Sequence, residues 1–330
     1  MALYATGLNA WNQLDFGSIK KEQEPDDIFT FTCVLKDNDT DYVRPFPSYT
    51  LVYTTRDLLT PTHSSGLIPK SHQKLSSHNP HHYLHFAEAS NDTIVIPNHP
   101  TNPYPIQYPS LTNLLNSAPV HTPLSYPSLK ISQLSAYATG FIALSTPSPS
   151  EPSPQVHSWG DPRYPPCLAR PTCPITSPAS TPSPIPDLLS LPTGPIVKIS
   201  SCSSGYLLAA LTAGNDLYIW GHASRCASWF PNVPHRPEPV LIGSDDGKDI
   251  ADVAVGQSHI IVLTTDNEIW GRGDNSSGQL GLGRNVKMTK EWTRLKLDCG
   301  EDDNDDEKKR ERIKGVWAGE RNSFVIVEPA

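Results

Sequence analysis

No stretch of this 330-residue chain approaches the ~18 consecutive apolar residues that a membrane-spanning helix needs. The opening residues, Met1-Ala2-Leu3-Tyr4-Ala5-Thr6-Gly7, hold neither a basic n-region nor an apolar h-region, so no secretory signal is read there and the chain is expected to be intracellular. The six cysteines (Cys33, Cys167, Cys173, Cys202, Cys226 and Cys299) never fall in a C-x-x-C pair, and in a reducing compartment they are expected as free thiols. Charge is sparse, at 18 % against a usual ~25 %. Its balance, 26 basic against 34 acidic residues, gives −8, which argues against direct nucleic-acid binding. Catalytic signatures are missing too. There is no G-x-S-x-G elbow, phosphate loop, H-E-x-x-H or dinucleotide fingerprint, so neither a catalytic residue nor a cofactor is expected. Seven of the twelve histidines gather at His63, His72, His78, His81, His82, His85 and His99. No cysteine or carboxylate stands at zinc spacing beside His81-His82-x-x-His85, so this region reads as a polar loop and no metal site is assigned.

What the chain has in excess is proline. The count of 34 in 330 is about twice the usual ~5 %, and proline costs ~3 kcal/mol inside a helix, so turns and strands are expected rather than helices. Residues 146–195 hold 15 of these prolines. Residues 145–155 read as a loop between two strands, and 165–195 as a longer loop between repeats, extended or disordered. Both read first as spacers; the alternatives are a ligand for a proline-binding domain or a phospho-switch at the Ser/Thr-Pro steps, with Thr146, Ser148, Ser153, Ser177, Thr181 and Ser183 as candidate phosphorylation sites. A second insertion, 298–312, sets an acidic block against Lys308-Lys309-Arg310-Glu311-Arg312. It reads as a solvated loop, or as a docking arm for a basic partner, with a weak import-like run at its end.

Repetition organises the rest. The clearest unit runs from Val253 to Gly281. One strand ends at Gly256, a β-branched strand spans Ile260 to Thr264, a turn at Asp266-Asn267 leads into a third strand, and a loop closes at Gly281. Weaker copies lie at Leu134–Gly160, Ile199–Gly221 and Val316–Val327, with degenerate ones at Val43–Tyr53 and Leu84–Ile96. Residues Leu3 to Leu14 repeat only the second half, in register with Ile269 to Leu280. The equivalent turn falls at Phe46, Ala87, Tyr137, Cys202, Gly256 and Gly319, in steps of 41 to 65 residues, and wrapping from Gly319 through the end back to Phe46 takes 57. A half-repeat at each terminus is how a circular array avoids exposed strand edges: the first strand completes the last sheet.

These stretches resemble the regulator-of-chromosome-condensation repeats, which pair a glycine–histidine half with a tryptophan–glycine–asparagine–glycine–glutamine–leucine–glycine half. The resemblance is close at 250–283, moderate at 3–15, 131–160, 196–221 and 313–327, and poor over 28–130. It implies an all-β fold, a single β-propeller over 1–330. Six blades are readable, and a seventh is left open over 97–130. Its ring is closed by pairing of the N- and C-terminal strands, with the Pro-rich and acidic segments as loop insertions. The short single-propeller members of the family are the nearest in pattern. The signature residues are then Gly7, Asn9, Gln13, Trp159, Gly160, Trp220, Gly221, Gly256, His259, Trp270, Gly273, Asn275, Gly278, Gln279, Gly281 and Gly319. All are read as structural, with the tryptophans as blade packing and the His259 position recurring as Gly140, Gly205 and Asn322.

The functional expectation is a non-catalytic, monomeric scaffold in nucleus or cytoplasm, with short loops on rigid faces to hold a protein partner. The resemblance implies a chromatin enzyme, a ubiquitin-pathway protein or a small GTPase as that partner. The alternative is a nucleotide exchange factor for a Ran-type GTPase, but neither its wedge nor its basic N-terminal tail is matched here. A light sensor built on clustered tryptophans is set aside, because Trp11, Trp159, Trp220, Trp229, Trp270, Trp292 and Trp317 are scattered.

Overall fold

The computed structural model describes residues 1–17, 25–57, 60–73, 86–90, 93–96, 105–115, 129–149, 151–243, 247–297 and 312–328. Strands dominate them, in six antiparallel meanders divided between two compact units. The first unit joins Met1–Ile68 to Ile242–Ala330. One of its sheets is built from both ends of the sequence: β1 (Ala2–Gly7), β2 (Ile28–Lys36), β21 (Arg312–Ala318) and β22 (Asn322–Glu328), in the order β2-β1-β22-β21. Its second sheet is β3 (Thr40–Pro45), β4 (Tyr49–Thr54) and β5 (His63–Gly66). Its third is β17 (Ile250–Val255), β18 (His259–Thr264), β19 (Ile269–Asp274) and β20 (Met288–Leu295).

The second unit, Pro69–Leu241, also has three sheets. They are β6 (Ala87–Glu88), β7 (Ile94–Ile96) and β8 (Ile106–Tyr108); β9 (Ile131–Tyr137), β10 (Gly140–Ser145), β11 (Val156–Gly160) and β12 (Ser183–Pro184); and β13 (Ile196–Ser201), β14 (Leu207–Thr212), β15 (Leu217–Gly221) and β16 (Glu238–Pro239). Among the described residues helix is short: α1 (Leu111–Leu115), α2 (Pro165–Leu168), α3 (Ala223–Cys226), a 3₁₀ turn at Pro186–Leu188 and the helical residues 70–73. Six such meanders are the blades of a β-propeller, and the chain is a six-bladed one. The described part of 97–130 supplies β8 and α1 rather than a seventh sheet. Histidines 78, 81, 82, 85 and 99, and residues 298–311 of the charged insertion, lie outside the described residues.

The second strand of each repeat shows why the sequence folds this way. YTLVYT, GFIALS, LLAALT and HIIVLT are buried at every position, as an inner strand covered on both faces must be. Period-two alternation then sends neighbouring side chains into different cores. Ile142 and Leu144 of β10 pack with Leu208, Ala210 and Trp220, while Phe141 and Ala143 pack with Ala87 and Val95. Likewise Val325 and Val327 of β22 join Ile261 and Leu263, while Phe324 and Ile326 join Val43 and Val52. The terminal half-repeats meet as the pattern requires, with β1 antiparallel to β22 from Ala2↔Val327 to Gly7↔Asn322.

The Pro-rich stretch departs from the expectation of an extended or disordered loop. Residues 145–155 do link β10 to β11. Residues 165–195, however, contain α2, the 3₁₀ turn and β12, whose Ser183 and Pro184 pair with Ser158 and His157 at the edge of the sheet. An edge strand tolerates proline, because the missing N–H is not called on by a neighbour. A buried arginine holds the segment in place. Arg170 Nε donates to the Ser158 carbonyl at 3.1 Å, Nη1 to Ser177 Oγ at 3.0 Å, and Nη2 to the Pro178 and Thr181 carbonyls at 3.0 and 2.8 Å.

Candidate functional site

In a meander the first-to-second and third-to-fourth strand connections leave a blade at the same end. In the first unit that end carries residues 8–17, 46–48, 256–258, 275–287 and 319–321. The signature residues concentrate there and hold the backbone rigid. Asn275 Oδ1 accepts the Leu280 N–H at 2.9 Å, while its Nδ2 donates to the Gly283 and Val286 carbonyls at 3.1 and 2.6 Å. Gln279 Oε1 accepts the Ser277 N–H at 3.0 Å. The N-terminal turn repeats this pattern. Asn9 Oδ1 accepts from Leu14 N at 2.9 Å, and Gln13 Oε1 accepts from Trp11 N at 2.8 Å. Gly278, at φ +88°, is matched by Asn12 at φ +56°, asparagine being a residue that tolerates the left-handed region.

Glycine is required where a side chain from the next turn covers the backbone. A Cβ on Gly256 would lie 2.0 Å from the His259 imidazole, and one on Gly319 would lie 2.2 Å from Asn322 Oδ1. His259 is fully buried, with Nε2 3.0 Å from Ser323 Oγ, whose hydroxyl donates to the Gln279 carbonyl at 2.6 Å. Burial pushes the imidazole down to about 4. A serine beside a neutral histidine is the raw material of a nucleophile. Here both are sealed from solvent and the serine proton is already committed, so the pair acts as a seam between sheets.

In four sheets the residue before the final glycine of the third strand hydrogen-bonds to the preceding sheet as a latch. Trp220 Nε1 donates to the Cys167 carbonyl at 3.3 Å, and Trp159 Nε1 to Gln107 Oε1 at 3.2 Å. In the first unit hydroxyls do the same work. Thr6 Oγ1 donates to the Gly278 carbonyl at 2.6 Å, and Ser65 Oγ donates to the equivalent Asn12 carbonyl. Strand register places two residues differently from the sequence reading. Trp270 pairs with Val262, half-buried, with its Nε1 on Glu268 Oε2 at 3.1 Å, and Arg272 takes the latch position opposite Ile260. The partner of Gly221, hence the counterpart of His259, is Leu207 rather than Gly205, because that turn is two residues longer. Sequence reasoning also missed Arg170, Thr6 and Ser65, whose roles depend on contacts no local pattern announces. The mismatch at Trp270 was visible as its spacing of three, not one, from Gly273.

The candidate phosphorylation sites separate into two groups. Ser177 and Thr181 belong to the Arg170 clamp, and Ser183 is paired in β12. Thr146, Ser148 and Ser153 lie on the loop between β10 and β11, with Ser153 exposed. At the opposite end of the first unit, an open cleft of about 770 Å³ is lined by Asp266, Glu268, Arg294, Arg312 and Ile313. Lys248 bonds both Asp266 and Glu268, at 2.6 and 2.9 Å, and Arg294 bonds Glu268 at 3.1 Å, so the charges neutralise one another. Among the described residues no group of three or more His, Cys, Asp or Glu could hold a metal ion, and no helix is long and apolar enough to cross a membrane. The five described cysteines are free.

The sequence pattern of the Regulator of chromosome condensation (RCC1) repeat matches residues 250–279, the segment that carries β17 to β19 and the Asn275–Gln279 turn. The chain carries an RCC1 repeat. Among curated proteins it is similar to the Ultraviolet-B receptor UVR8 of Arabidopsis thaliana, 30 % identical over 30 % of this chain and 23 % of that one. It is also similar to the E3 ubiquitin-protein ligase HERC2 of Homo sapiens, 34 % identical over 27 % of this chain and 2 % of that one. Protein RCC2 homolog of Xenopus laevis is 31 % identical over 26 % of this chain and 17 % of that one. The match thus spans less than a quarter of each of these relatives. Among solved structures, Prp20p of Saccharomyces cerevisiae, described with its binding properties to Gsp1p and histones, superposes over 100 % of this chain and 92 % of its own, with a TM-score of 0.54 at 12 % identity. That likeness is one of fold, and the fold is the RCC1-type propeller.

Proposed function

We propose that this chain is a non-catalytic scaffold whose propeller, acting as one domain and as a monomer, holds a protein partner in the nucleus or cytoplasm. The observation that carries this reading is the pair of matched turns at 8–14 and 275–280. Side chains bind their backbones so completely that these loops form a fixed surface, and binding residues concentrate on loops of this kind. The sealed state of the His259–Ser323 contact supports it from the side of chemistry. RCC1 repeats occur in a ubiquitin ligase and in a receptor, and the propeller fold in a protein that binds Gsp1p and histones. The partner classes we propose are accordingly a ubiquitin-pathway protein, a chromatin enzyme or a small GTPase. Thr146, Ser148 and Ser153 are the phosphorylation sites we retain.

Affinity purification of the full-length chain, followed by mass spectrometry, tests the reading. A reproducible, stoichiometric partner is expected. No reproducible partner, or acceleration of labelled-nucleotide release from a recovered GTPase, would replace it with the absence of a scaffold role or with exchange activity.

A further inference from the structure

We propose that the turn 8–17 displays Trp11 as the anchor for a basic segment of a partner protein, a statement that rests on the scaffold reading and specifies its surface. The argument begins with the two matched turns. Their hydrogen bonds place Trp11 where the other repeat has Ser277. Ser277 is 8 % exposed, whereas Trp11 is 50 % exposed. A serine at this position makes the same turn, so its hydrogen bonds do not require the tryptophan. An indole left half in water is instead what a binding surface needs.

The anchor is rigid. Its own N–H is held by Gln13, and the Ser65 hydroxyl donates to the carbonyls of Asn12 and Asp15 on either side of the turn. Little backbone freedom is lost when such an anchor binds, and rigid, partly exposed aromatics dominate interface energetics. Leu67, 58 % exposed, follows Gly66, whose backbone abuts Gln13.

The charge at the rim selects the partner. Asp15 and Asp27 flank the turn, their carboxylates accepting the Gly17 and Asn9 N–H groups, both at 2.9 Å. Asp26 is taken up by Arg284, Lys287 stands over the Phe29 ring two residues beyond Asp27, and Arg321 on the neighbouring turn is offset by the adjacent Glu320, so these four carboxylates outnumber the three cations by one. A net-acidic rim around an indole face suits Lys or Arg, which can stack on the ring and pair with the carboxylates.

The test uses the full chain and a fluorescein-labelled 12-residue peptide of alternating lysine and leucine, followed by fluorescence polarisation beside its glutamate–leucine counterpart. The lysine peptide is expected to bind and the glutamate peptide to bind at least ~10-fold more weakly. Trp11→Ser, the residue the sister turn uses, is expected to weaken the lysine peptide ~10-fold or more, and Trp11→Phe by less than Trp11→Ser. The pair Asp15→Asn and Asp27→Asn keeps the oxygens that cap the turn while removing charge. It is expected to weaken binding ~5-fold and to flatten its salt dependence, whether or not Trp11→Ser folds. Equal binding of both peptides, unchanged affinity in Trp11→Ser and the Asp pair, or a self-association that Trp11→Ser abolishes would overturn the proposal. A cellular partner retained in full by Trp11→Ser would sink this surface and leave the scaffold reading standing. No partner at all would sink the scaffold reading.

Discussion

At the scale of single residues, the fold depends on a few side chains that lie on bare backbone. The His259 ring occupies the space a Cβ on Gly256 would need. Gly256→Ala is therefore expected to lower stability by about 2 kcal/mol, within the ~1–3 kcal/mol range for overpacking. Most of that loss should return in the Gly256→Ala/His259→Ala double variant, the coupling being read from chemical denaturation. Arg170 makes the opposite kind of prediction. Its removal takes a charged donor from the Ser158, Pro178 and Thr181 carbonyls, so Arg170→Ala should cost ~2–4 kcal/mol and expose 171–182 to limited proteolysis. Lysine cannot reach three directions at once and should not rescue it. Two buried imidazoles set the pH response. Burial holds His259 and His157 down to about 4 each. Between pH ~6.5 and ~4 the unfolded chain binds protons that the folded chain refuses, so stability falls as pH falls through that window, by up to about 3 kcal/mol per histidine. Thermal melts across pH 4–7.5 should show this slope, reduced in His259→Asn, since Asn322 fills the same role in the next sheet.

At the scale of elements, legibility followed burial. The inner strands announced themselves as apolar β-branched runs, because both their faces are covered. The Asn–Gln turns were legible because each hydrogen bond closes within six residues. The Pro-rich stretch was misread because its order comes from Arg170 and from an edge pairing with β11, neither of which follows from proline content. Trp270 and Gly205 were misplaced because register is set by strand pairing, which shifts when a turn gains residues. Thr6 and Ser65 were invisible for a simpler reason: a hydroxyl can take a tryptophan's latch position whenever the loop carbonyl lies close enough. The two Pro-rich segments should accordingly behave differently on deletion. Shortening 147–154 to a two-residue turn should leave the melting temperature within ~2 °C, because loop length carries little entropy. Removing 165–195 should abolish cooperative unfolding in the second unit, because the fourth strand goes with it.

At the scale of the whole molecule, the chain joins its ends in a single sheet, and the half-repeats at the termini already implied that closure. Deleting residues 1–7 removes β1, which lies between β22 and β2, and should leave a protein without a cooperative melt. On the proposed reading, the turns of the first unit offer a partner a surface that does not move when it arrives. The claim is tested most directly by cross-linking mass spectrometry of the affinity-purified complex. The account predicts partner cross-links to residues on or beside the turns 8–17, 46–48 and 319–321, unchanged when 147–154 is shortened. Cross-links confined to 145–155, and lost with it, would place binding on the arm and contradict the account.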